Sequence, residues 1–397
     1  MSKELKVLMM GGQRVGKSSA LAAIIESFTT GEMCRVLKAK DTTVLEENDG
    51  VKQASIASKL HDIRQVLQNY TGKTILVDSG KTSNYQNYQL ELSIPDSFGK
   101  MTIHFTDING EYFEGGTLEQ KNIIELVKSY DVFIVAIDTP FMMEARQNGL
   151  VNAVINRKYN CIDSIHTVLT NIDDSDGKNA KLVIFTPIKC EKWARENQLD
   201  AVTQCVREDY ATTLKALSKY KRVQVEVLPV QTIGSIVFQE HREAYKFSWT
   251  KRFLFFFEKN YTSKCAVLDD GKVRLADGRE FDHTAGTIEE DIDAILIPNT
   301  DIVRPNSWFK VLTKAYKPHN CEQLAFHILD FMLSKLIDAN LRNMGLWKML
   351  VNALKNKFGG ISIQKMTSII EQLYEEDLIK NSGEGILLLN KCDFKKV

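Results

Sequence analysis

The chain has 397 residues, of which 44% are hydrophobic and 26% are charged, a composition typical of folded globular proteins. Lysine plus arginine and aspartate plus glutamate are equal at 51 each, so no overall charge favours nucleic acid or acidic lipid as a partner. No apolar run approaches the length of a membrane span. The first strand pattern begins at residue 5, so we expect no signal peptide, and the 7 cysteines contain no C-x-x-C pair. We therefore expect a cytoplasmic protein with reduced thiols that associates with neither nucleic acid nor membranes.

Strand patterns and helix patterns alternate from residue 5 to about residue 230. The predicted strands lie at 5–10, 88–94, 101–105, 132–137, 181–185 and 223–228, and the predicted helices lie at 19–28, 56–70, 118–130 and 199–219. The strand at 132–137 is almost fully apolar, which is typical of a parallel strand covered by helices on both faces. The alternation predicts an α/β fold with a doubly wound, mostly parallel sheet.

The pattern changes beyond residue 240, and this change sets the predicted domains. A first domain spans 1–240 and carries a helical insertion at 31–86. A β-rich insertion is predicted at 241–310, where two Asp-Gly turns and an apolar run at 253–257 suggest antiparallel strands. Residues 311–345 are expected to hold the last covering helix of the first domain, with Asn320 and Gln323 as its capping residues. A small C-terminal helix–hairpin appendage is predicted at 346–397, and its lack of a basic stripe argues against DNA binding.

Residues 11–18 read Gly-Gly-Gln-Arg-Val-Gly-Lys-Ser and match the phosphate-binding pattern G-x-x-x-x-G-K-[ST] without a mismatch. The pattern lies between a predicted strand and a predicted helix, the context that a P-loop requires, so the sheet is expected to be that of a P-loop NTPase. Backbone N–H groups of such a loop bind phosphates. Lys17 is expected to reach the β- and γ-phosphates and to take part in catalysis, and Ser18 is expected to bind Mg²⁺. The predicted nucleotide-binding residues here are Gly12, Gln13, Arg14, Val15, Gly16, Lys17, Ser18 and Ser19.

A second motif, Asp107-x-x-Gly110, follows the strand predicted at 101–105. A carboxylate at this place can hold Mg²⁺ through water, and the glycine N–H can contact the γ-phosphate. Asp107 is therefore the second predicted metal-binding residue, and Gly110 is a predicted nucleotide-binding residue. Glu111 comes next, where a carboxylate can orient the attacking water or accept its proton; an ordinary exposed glutamate is the alternative.

The strand at 181–185 leads into Thr-Pro-Ile-Lys-Cys-Glu at 186–191, where GTPases carry [NT]-K-x-D. A buried carboxylate accepts hydrogen bonds from the N1–H and 2-amino groups of guanine and rejects adenine, which lacks both donors. Lys189 and Glu191 are the predicted base-reading residues, although Ile188 replaces the polar residue of the usual motif. A surface loop of an ATPase is the alternative. Thr232, in the loop after the next strand, is predicted to back the base.

This series of motifs resembles the TRAFAC class of P-loop GTPases, which includes Ras, the translational factors and the dynamins. The P-loop is similar to that of dynamins, and Arg14 occupies the place of the P-loop arginine of guanylate-binding proteins. The Asp-Thr-Pro at 138–140 together with residues 187–191 resembles bacterial GTPases of conflict or defence operons, including the double-GTPase group. The resemblance implies that Arg14 acts as an internal arginine finger on the γ-phosphate, with a solvated loop arginine as the alternative. It also implies a Mg²⁺-binding switch residue, for which the candidates are Thr42, Thr43, Thr82 and Ser83.

Together these residues predict a Mg²⁺-dependent protein that binds GTP and hydrolyses it to GDP and phosphate, with Lys17, Arg14 and Glu111 as catalytic residues. Its expected use is regulatory, since ordering of loops by the triphosphate changes what such a protein binds. A protein partner or a second copy of the chain is expected to respond to the nucleotide state. Two alternatives stay open: a dynamin-like self-assembling GTPase, and a nucleotide-binding adaptor with little turnover. The sequence leaves the pathway and the oligomeric state open.

Overall fold

The computed structural model forms two compact units. It describes residues 4–30, 37–44, 47–48, 51–52, 55–76, 85–93, 100–113, 118–147, 150–172, 179–253, 257–267, 272–275, 280–282, 287–288, 291–342, 363–380, 382–383 and 385–390. The first unit comprises Met1–Leu67, Gly80–Ser235 and Ala315–Val397, and the second comprises Gln68–Ser79 and Ile236–Lys314. The domain boundaries placed at 240, 310 and 345 from the sequence stay predictions.

The strands, in chain order, are β1 Glu4–Met10, β2 Lys38–Asp41, β3 Glu47–Asn48, β4 Val51–Lys52, β5 Thr74–Leu76, β6 Gln86–Ser93, β7 Lys100–Asp107, β8 Val132–Asp138, β9 Lys181–Ile188, β10 Val223–Val227, β11 Ile236–Phe253, β12 Phe257–Val267, β13 Lys272–Leu275, β14 Glu280–Asp282, β15 Thr287–Ile288, β16 Asp291–Val311, β17 Ser382–Gly383 and β18 Ile386–Asn390. The helices are α1 Lys17–Thr29, α2 Ile56–Tyr70, α3 Leu118–Val127, α4 Thr139–Gln147, α5 Leu150–Tyr159, α6 Ile162–Leu169, α7 Glu191–Arg195, α8 Leu199–Asp209, α9 Ala211–Leu217, α10 Cys321–Arg342 and α11 Ile363–Glu375. A short 3-10 helix spans Gly110–Phe113.

A nine-stranded sheet in the order β17-β18-β10-β9-β8-β1-β7-β6-β2 forms the centre of the first unit. Its five central strands, from β10 to β7, run parallel, and antiparallel strands extend both edges. Every residue of β8 and β9 is buried, as is typical of parallel strands with covering layers on both faces. The predicted α/β fold class is thereby confirmed. Because parallel strands share the direction of their carboxyl ends, the residues that follow β1, β7, β8 and β9 meet at one edge of the sheet.

Helices pack against both faces of this sheet. Alternate residues of β1 point to opposite faces, and Val7 and Met9 join the apolar core that contains Phe28 of α1 and Leu324 of α10. On the opposite face, the ring of Phe185 in β9 packs against Tyr210 with centroids 5.1 Å apart. The helix predicted at 199–219 is in fact two helices, α8 and α9. They meet at Tyr210, whose backbone is not helical (φ −104°, ψ 16°).

The C-terminal residues contribute to the same unit. Strand β18 pairs antiparallel with β10, so the hairpin predicted at the C-terminus extends the central sheet. Helix α10 begins next to Asn320 as predicted, but the side chains of Asn320 and Gln323 bond to other segments instead of capping it. Asn320 Nδ2 donates to the Pro229 carbonyl (3.1 Å), and Gln323 Nε2 donates to the Leu378 carbonyl (2.7 Å). These bonds join the start of α10 to the loop after β10 and to the C-terminal segment.

The second unit is an antiparallel sheet. Its strands follow the order β14-β13-β12-β11-β16-β15, and β5 pairs with β16. Strands β11 and β16 are long, with 18 and 21 residues. The Asp-Gly turns at 270–271 and 277–278, and residues 254–256 of the phenylalanine run, lie outside the described residues. In the part of the chain that is described, no helix is both long and apolar enough to cross a bilayer.

Candidate functional site

Residues 11–16 form a tight turn between β1 and α1. Gly11 (φ 143°), Arg14 (φ 56°) and Gly16 (φ 111°) all have positive φ. A Cβ on Gly11 would lie 2.5 Å from the carbonyl oxygen of Ala136, so a side chain cannot be placed there without moving the backbone. The two glycines of the motif therefore occupy backbone conformations that favour glycine. Arg14 takes a positive φ despite its side chain, which marks a conformation held by its surroundings.

The middle of the loop is enclosed by the corner between α5 and α6. A Cβ on Gly12 would lie 2.0 Å from the carbonyl oxygen of Tyr159 and 3.4 Å from Cys161 Sγ. Val15 is buried, whereas Gln13 and Arg14 are partly exposed. The first two residues after Lys17, which are Ser18 and Ser19, lie partly buried in the first turn of α1. The predicted loop residues thus lie together in one turn and in the first turn of the helix that follows it.

Lys17 folds back over this turn. The side chain is 5% exposed, and its Nζ donates to the carbonyl oxygens of Gly11 (3.0 Å) and Gly12 (2.8 Å). The ammonium group is therefore held against the loop by two backbone acceptors. A lysine ammonium beside a loop that opens onto a helix N-terminus is an arrangement suited to phosphate.

Ser18 and Asp107 meet at the carboxyl edge of the sheet. Asp107 ends β7 and pairs with Met9 of β1, and Ser18 Oγ donates to Asp107 Oδ2 at 2.5 Å. Asp107 is fully buried, and its Oδ1 is sealed from solvent with no hydrogen-bond partner among the described residues. A hydroxyl and a carboxylate with one unsatisfied oxygen fit Mg²⁺, which takes few protein oxygens and keeps its other positions for water and phosphate. The two residues predicted to bind metal are thus neighbours.

Gly110 lies directly against the P-loop. A Cβ on Gly110 would be 2.2 Å from the backbone nitrogen of Gln13, so the two backbones touch. Glu111 follows in the 3-10 turn and is exposed, and its N–H donates to Asn109 Oδ1 at 3.1 Å. Tyr112 stacks on Tyr85, which precedes β6, with centroids 5.1 Å apart and planes 16° apart. This contact links the segment after Asp107 to the segment before β6.

Lys189 reaches the P-loop from the end of β9. Its backbone has a positive φ of 61°, and its Nζ lies 2.7 Å from Asp138 Oδ2 and 3.5 Å from the Arg14 carbonyl oxygen. Asp138 is fully buried at the end of β8. The lysine therefore bridges three loops of the site. The sequence analysis used Asp138 for a family resemblance and did not predict it as a site residue, although a carboxylate that closes a fully apolar strand is itself a signal of a buried partner.

Glu191 is 3% exposed and lies under the loop that contains Thr232. Its Oε1 accepts hydrogen bonds from the N–H groups of Ile233 (3.0 Å) and Gly234 (3.1 Å). Burial raises the pKa of Glu191, while these two N–H donors and the charge of Lys189 act in the opposite direction. Thr232 is also buried, and its Oγ1 has no partner among the residues that the structure describes. A carboxylate and an unsatisfied hydroxyl thus lie in adjoining loops.

Two buried polar contacts that sequence reasoning missed hold these loops. Cys190 Sγ lies 3.3 Å from Thr139 Oγ1, and burial raises the pKa of the Cys190 thiol, so the thiol stays protonated. Asn160 is fully buried; its Oδ1 accepts the Asp138 N–H (2.7 Å), and its Nδ2 donates to the Asp138 carbonyl (3.3 Å). Both contacts fix the end of β8 relative to its neighbours.

The switch candidates divide into two groups. Thr43 Oγ1 accepts the Gln89 N–H at 2.9 Å, and Thr42 Oγ1 donates to the Gln89 carbonyl at 3.4 Å. Gln89 pairs with His104, three positions along β7 from Asp107. Thr42 and Thr43 are thus tied to the middle of β6, whereas Thr82 and Ser83 lie outside the described residues.

No family model matches this chain, and no curated protein matches it. Among solved structures, the chain is similar to the Ski7 GTPase-like domain of S. cerevisiae bound to GDP and inorganic phosphate, with 11% sequence identity, a TM-score of 0.31, and coverage of 79% of this chain and 72% of that chain. The same domain bound to GTP matches with 10% identity, a TM-score of 0.31, and coverage of 78% and 75%.

Proposed function

We propose that this protein binds GTP with Mg²⁺ and hydrolyses it to GDP and phosphate. The observation that carries the proposal is the contact between Ser18 and Asp107 (2.5 Å) beside a lysine that folds back over a P-loop. A hydroxyl, a carboxylate and an ammonium then converge on one edge of the sheet, as a metal-bound triphosphate requires. Bound Mg²⁺ would neutralise charge on the β- and γ-phosphate oxygens.

Guanine is the base that the Glu191 carboxylate favours. Two backbone N–H groups position the carboxylate through Oε1, and its other oxygen can accept from the N1–H and 2-amino groups of guanine. Adenine offers an acceptor in place of the first donor and nothing in place of the second, so it would leave a buried carboxylate unpaired. Lys189, tied to Asp138 and to the P-loop carbonyl of Arg14, would support the base from the other side.

In the proposed reaction, the oxygen of a water molecule bonds to the γ-phosphorus. The bond from that phosphorus to the β–γ bridging oxygen breaks, and the bridging oxygen keeps the electron pair and leaves as part of GDP. One proton of the water stays on the oxygen that joins the phosphate, and the other is transferred to a phosphate oxygen of the products. Lys17 stabilises negative charge on the phosphates, and Arg14 adds a second cation from within the loop. Glu111, exposed beside Gly110, is the group proposed to orient the water.

The regulatory use of the nucleotide is supported by the stacking of Tyr112 on Tyr85. In a GTPase switch, loops that contact the γ-phosphate change their order when it leaves. Tyr112 lies two residues after Gly110, and Tyr85 directly precedes β6, so the stack couples two segments near the proposed triphosphate site. We infer that the nucleotide state changes a surface used by a protein partner or by a second copy of the chain.

The test is nucleotide binding followed by phosphate release. Fluorescent GTP, GDP and ATP are titrated into the protein with Mg²⁺ and again with EDTA, and phosphate release from GTP is then followed. We expect GTP and GDP to bind at least about a hundredfold more tightly than ATP, since the Glu191 carboxylate makes two charge-assisted hydrogen bonds to guanine that it cannot make to adenine. Lys17→Met should lose GTP binding. Lys128→Met is the matched control, because Lys128 is an exposed partner of Glu125 (2.9 Å).

Each outcome decides a part of the proposal. ATP binding as tightly as GTP would remove the base assignment and leave a P-loop NTPase. Tight GTP binding without phosphate release would favour the adaptor over the enzyme. Equal GTP affinity in wild type and Lys17→Met would refute the P-loop as the nucleotide site.

A further inference from the structure

Lys59, on the inserted helix α2, lies close to the proposed metal and phosphate site. Helix α2 buries Ile56 and Leu60 in the same apolar core as α1, and Arg64 pairs with Glu26 of α1 at 2.6 Å. These contacts fix the helix beside the P-loop helix. Lys59 itself points back toward β6, the strand next to β7.

The side chain of Lys59 reaches the strand position opposite Asp107. Its Nζ donates to Gln86 Oε1 (2.8 Å) and to Tyr88 Oη (2.6 Å). Gln86 pairs with Asp107 across β6 and β7, and directly opposed residues project side chains to the same face with Cβ atoms about 4.5–5.5 Å apart. The Lys59 ammonium therefore bonds to the side chain that lies next to Asp107 on the same face of the sheet, and Asp107 is the carboxylate that contacts Ser18.

The surroundings of Lys59 are unusual for a lysine. Both of its hydrogen-bond acceptors are neutral, and no carboxylate among the described residues pairs with it. Burial lowers the pKa of Lys59, and the charge of Asp107 acts in the opposite direction. Gln86 Oε1 also accepts a bond from Tyr88 Oη (2.8 Å), so it keeps a partner without the lysine. A partly buried cation that its acceptors do not need is suited to an anionic ligand.

We propose that Lys59 recognises the γ-phosphate and lets the site distinguish a nucleoside triphosphate from a diphosphate. This inference rests on the proposed function. The lysine stem is flexible enough to exchange two neutral acceptors for a phosphate oxygen next to the metal that Ser18 and Asp107 would hold. Since Lys59 belongs to α2, the helix inserted into the domain would respond to the presence of the third phosphate.

The experiment compares a nonhydrolysable GTP analogue with GDP. Dissociation constants of both are measured with Mg²⁺ for wild type, Lys59→Met, Lys59→Arg, and the control Lys128→Met. We expect Lys59→Met to weaken binding of the analogue by about tenfold or more and to leave GDP binding within about twofold, because one charge-assisted contact to the third phosphate is lost. Lys59→Arg, which keeps the charge, should retain more than half of the discrimination on a logarithmic scale.

A second variant separates recognition from a purely structural role. Tyr88→Phe removes one of the two bonds that hold Lys59 but keeps its charge, so the discrimination should persist. An equal loss for analogue and GDP in Lys59→Met, or an unchanged ratio, would overturn the inference. If the wild type binds neither nucleotide, the proposed function fails. If the wild type binds both, and the ratio of the two dissociation constants is the same in Lys59→Met, only this inference fails.

Discussion

Replacing Glu191 by glutamine should remove the preference for guanine without harming the fold. The carboxylate oxygen Oε1 accepts N–H bonds from Ile233 and Gly234, and the amide oxygen of glutamine can keep both. The other oxygen becomes an NH₂ group, which places a donor opposite the N1–H and 2-amino donors of guanine. The substitution therefore changes the base-reading atom and little else.

The magnitude follows from the two hydrogen bonds lost. A hydrogen bond to a charged group contributes about 1.5–3 kcal/mol, so two of them correspond to about 3–6 kcal/mol. Since about 1.4 kcal/mol is a factor of ten, the ratio of GTP to ATP affinity should fall by about a hundredfold to ten-thousandfold. Xanthosine triphosphate has a carbonyl where guanine has the 2-amino group, and it should bind Glu191→Gln more tightly than wild type.

Stability provides the internal control. Burial raises the pKa of Glu191 above its usual 4.5, so ionisation of this group opposes folding, and its cost grows as the pH rises above that value. Glutamine has no charge to desolvate. The melting temperature of Glu191→Gln at pH 7 should therefore equal or exceed that of wild type.

The assay is competition against a fluorescent nucleotide with Mg²⁺, using GTP, ATP and xanthosine triphosphate. Glu196→Gln is the matched control, because Glu196 is exposed at the end of the same short helix. An unchanged ratio of GTP to ATP affinity in Glu191→Gln would refute the reasoning that this carboxylate reads the base. A lost ratio together with a large fall in melting temperature would show a folding effect in its place.

Two further predictions concern stability. Gly12→Ala should lower the free energy of unfolding by about 1–3 kcal/mol, because the added Cβ would lie 2.0 Å from the Tyr159 carbonyl oxygen and the backbone must move. Urea denaturation measures this, and a midpoint equal to that of wild type would contradict it. In the second, burial lowers the pKa of His327, but Glu226, whose Oε2 lies 2.7 Å from Nδ1, acts together with the Lys380 carbonyl and Asp330 to raise the pKa above 6.5. A raised histidine pKa stabilises the fold below pH 6.5, and this contribution is lost as the pH rises through the raised value. Between pH 6.5 and the raised pKa, the free energy of unfolding of the wild type, measured by urea titration, should fall more than that of His327→Gln. Parallel pH profiles for the two proteins would contradict a raised pKa of His327.

Much of the architecture could be predicted because local patterns carry it. The apolar stretches at 132–137 and 181–185 proved to be fully buried parallel strands, since a strand covered on both faces has no polar side. Hydrophobic spacing does not show where a helix is interrupted, however. The single helix predicted at 199–219 divides at Tyr210, whose ring packs on Phe185 and whose hydroxyl donates to the Asn160 carbonyl at 3.4 Å.

Polar side chains were harder to assign than apolar ones. Asn320 and Gln323 match a capping pattern, yet their side chains bond to the Pro229 and Leu378 carbonyls. A capping pattern describes only residues near in sequence, whereas either side chain can bond to any backbone group that the fold brings close. The pattern therefore located the start of the helix and not the contacts of these two residues.

The sequence by itself predicted the G-x-x-x-x-G-K-[ST] loop and those strands and helices that have a clear hydrophobic pattern. The pattern of the loop consists of eight consecutive residues, so it can be recognised from one stretch of sequence. Hydrophobic periodicity shows which face of a helix or strand is buried. Only the tertiary structure decided the partners. Lys189 contacts Asp138 across 51 positions and Arg14 across 175, and Lys59 reaches Gln86 across 27. Periodicity indicates on which face of its own strand or helix a side chain lies. The order of the strands in the sheet decides which residues that side chain contacts, and this order arises from the packing of the whole chain.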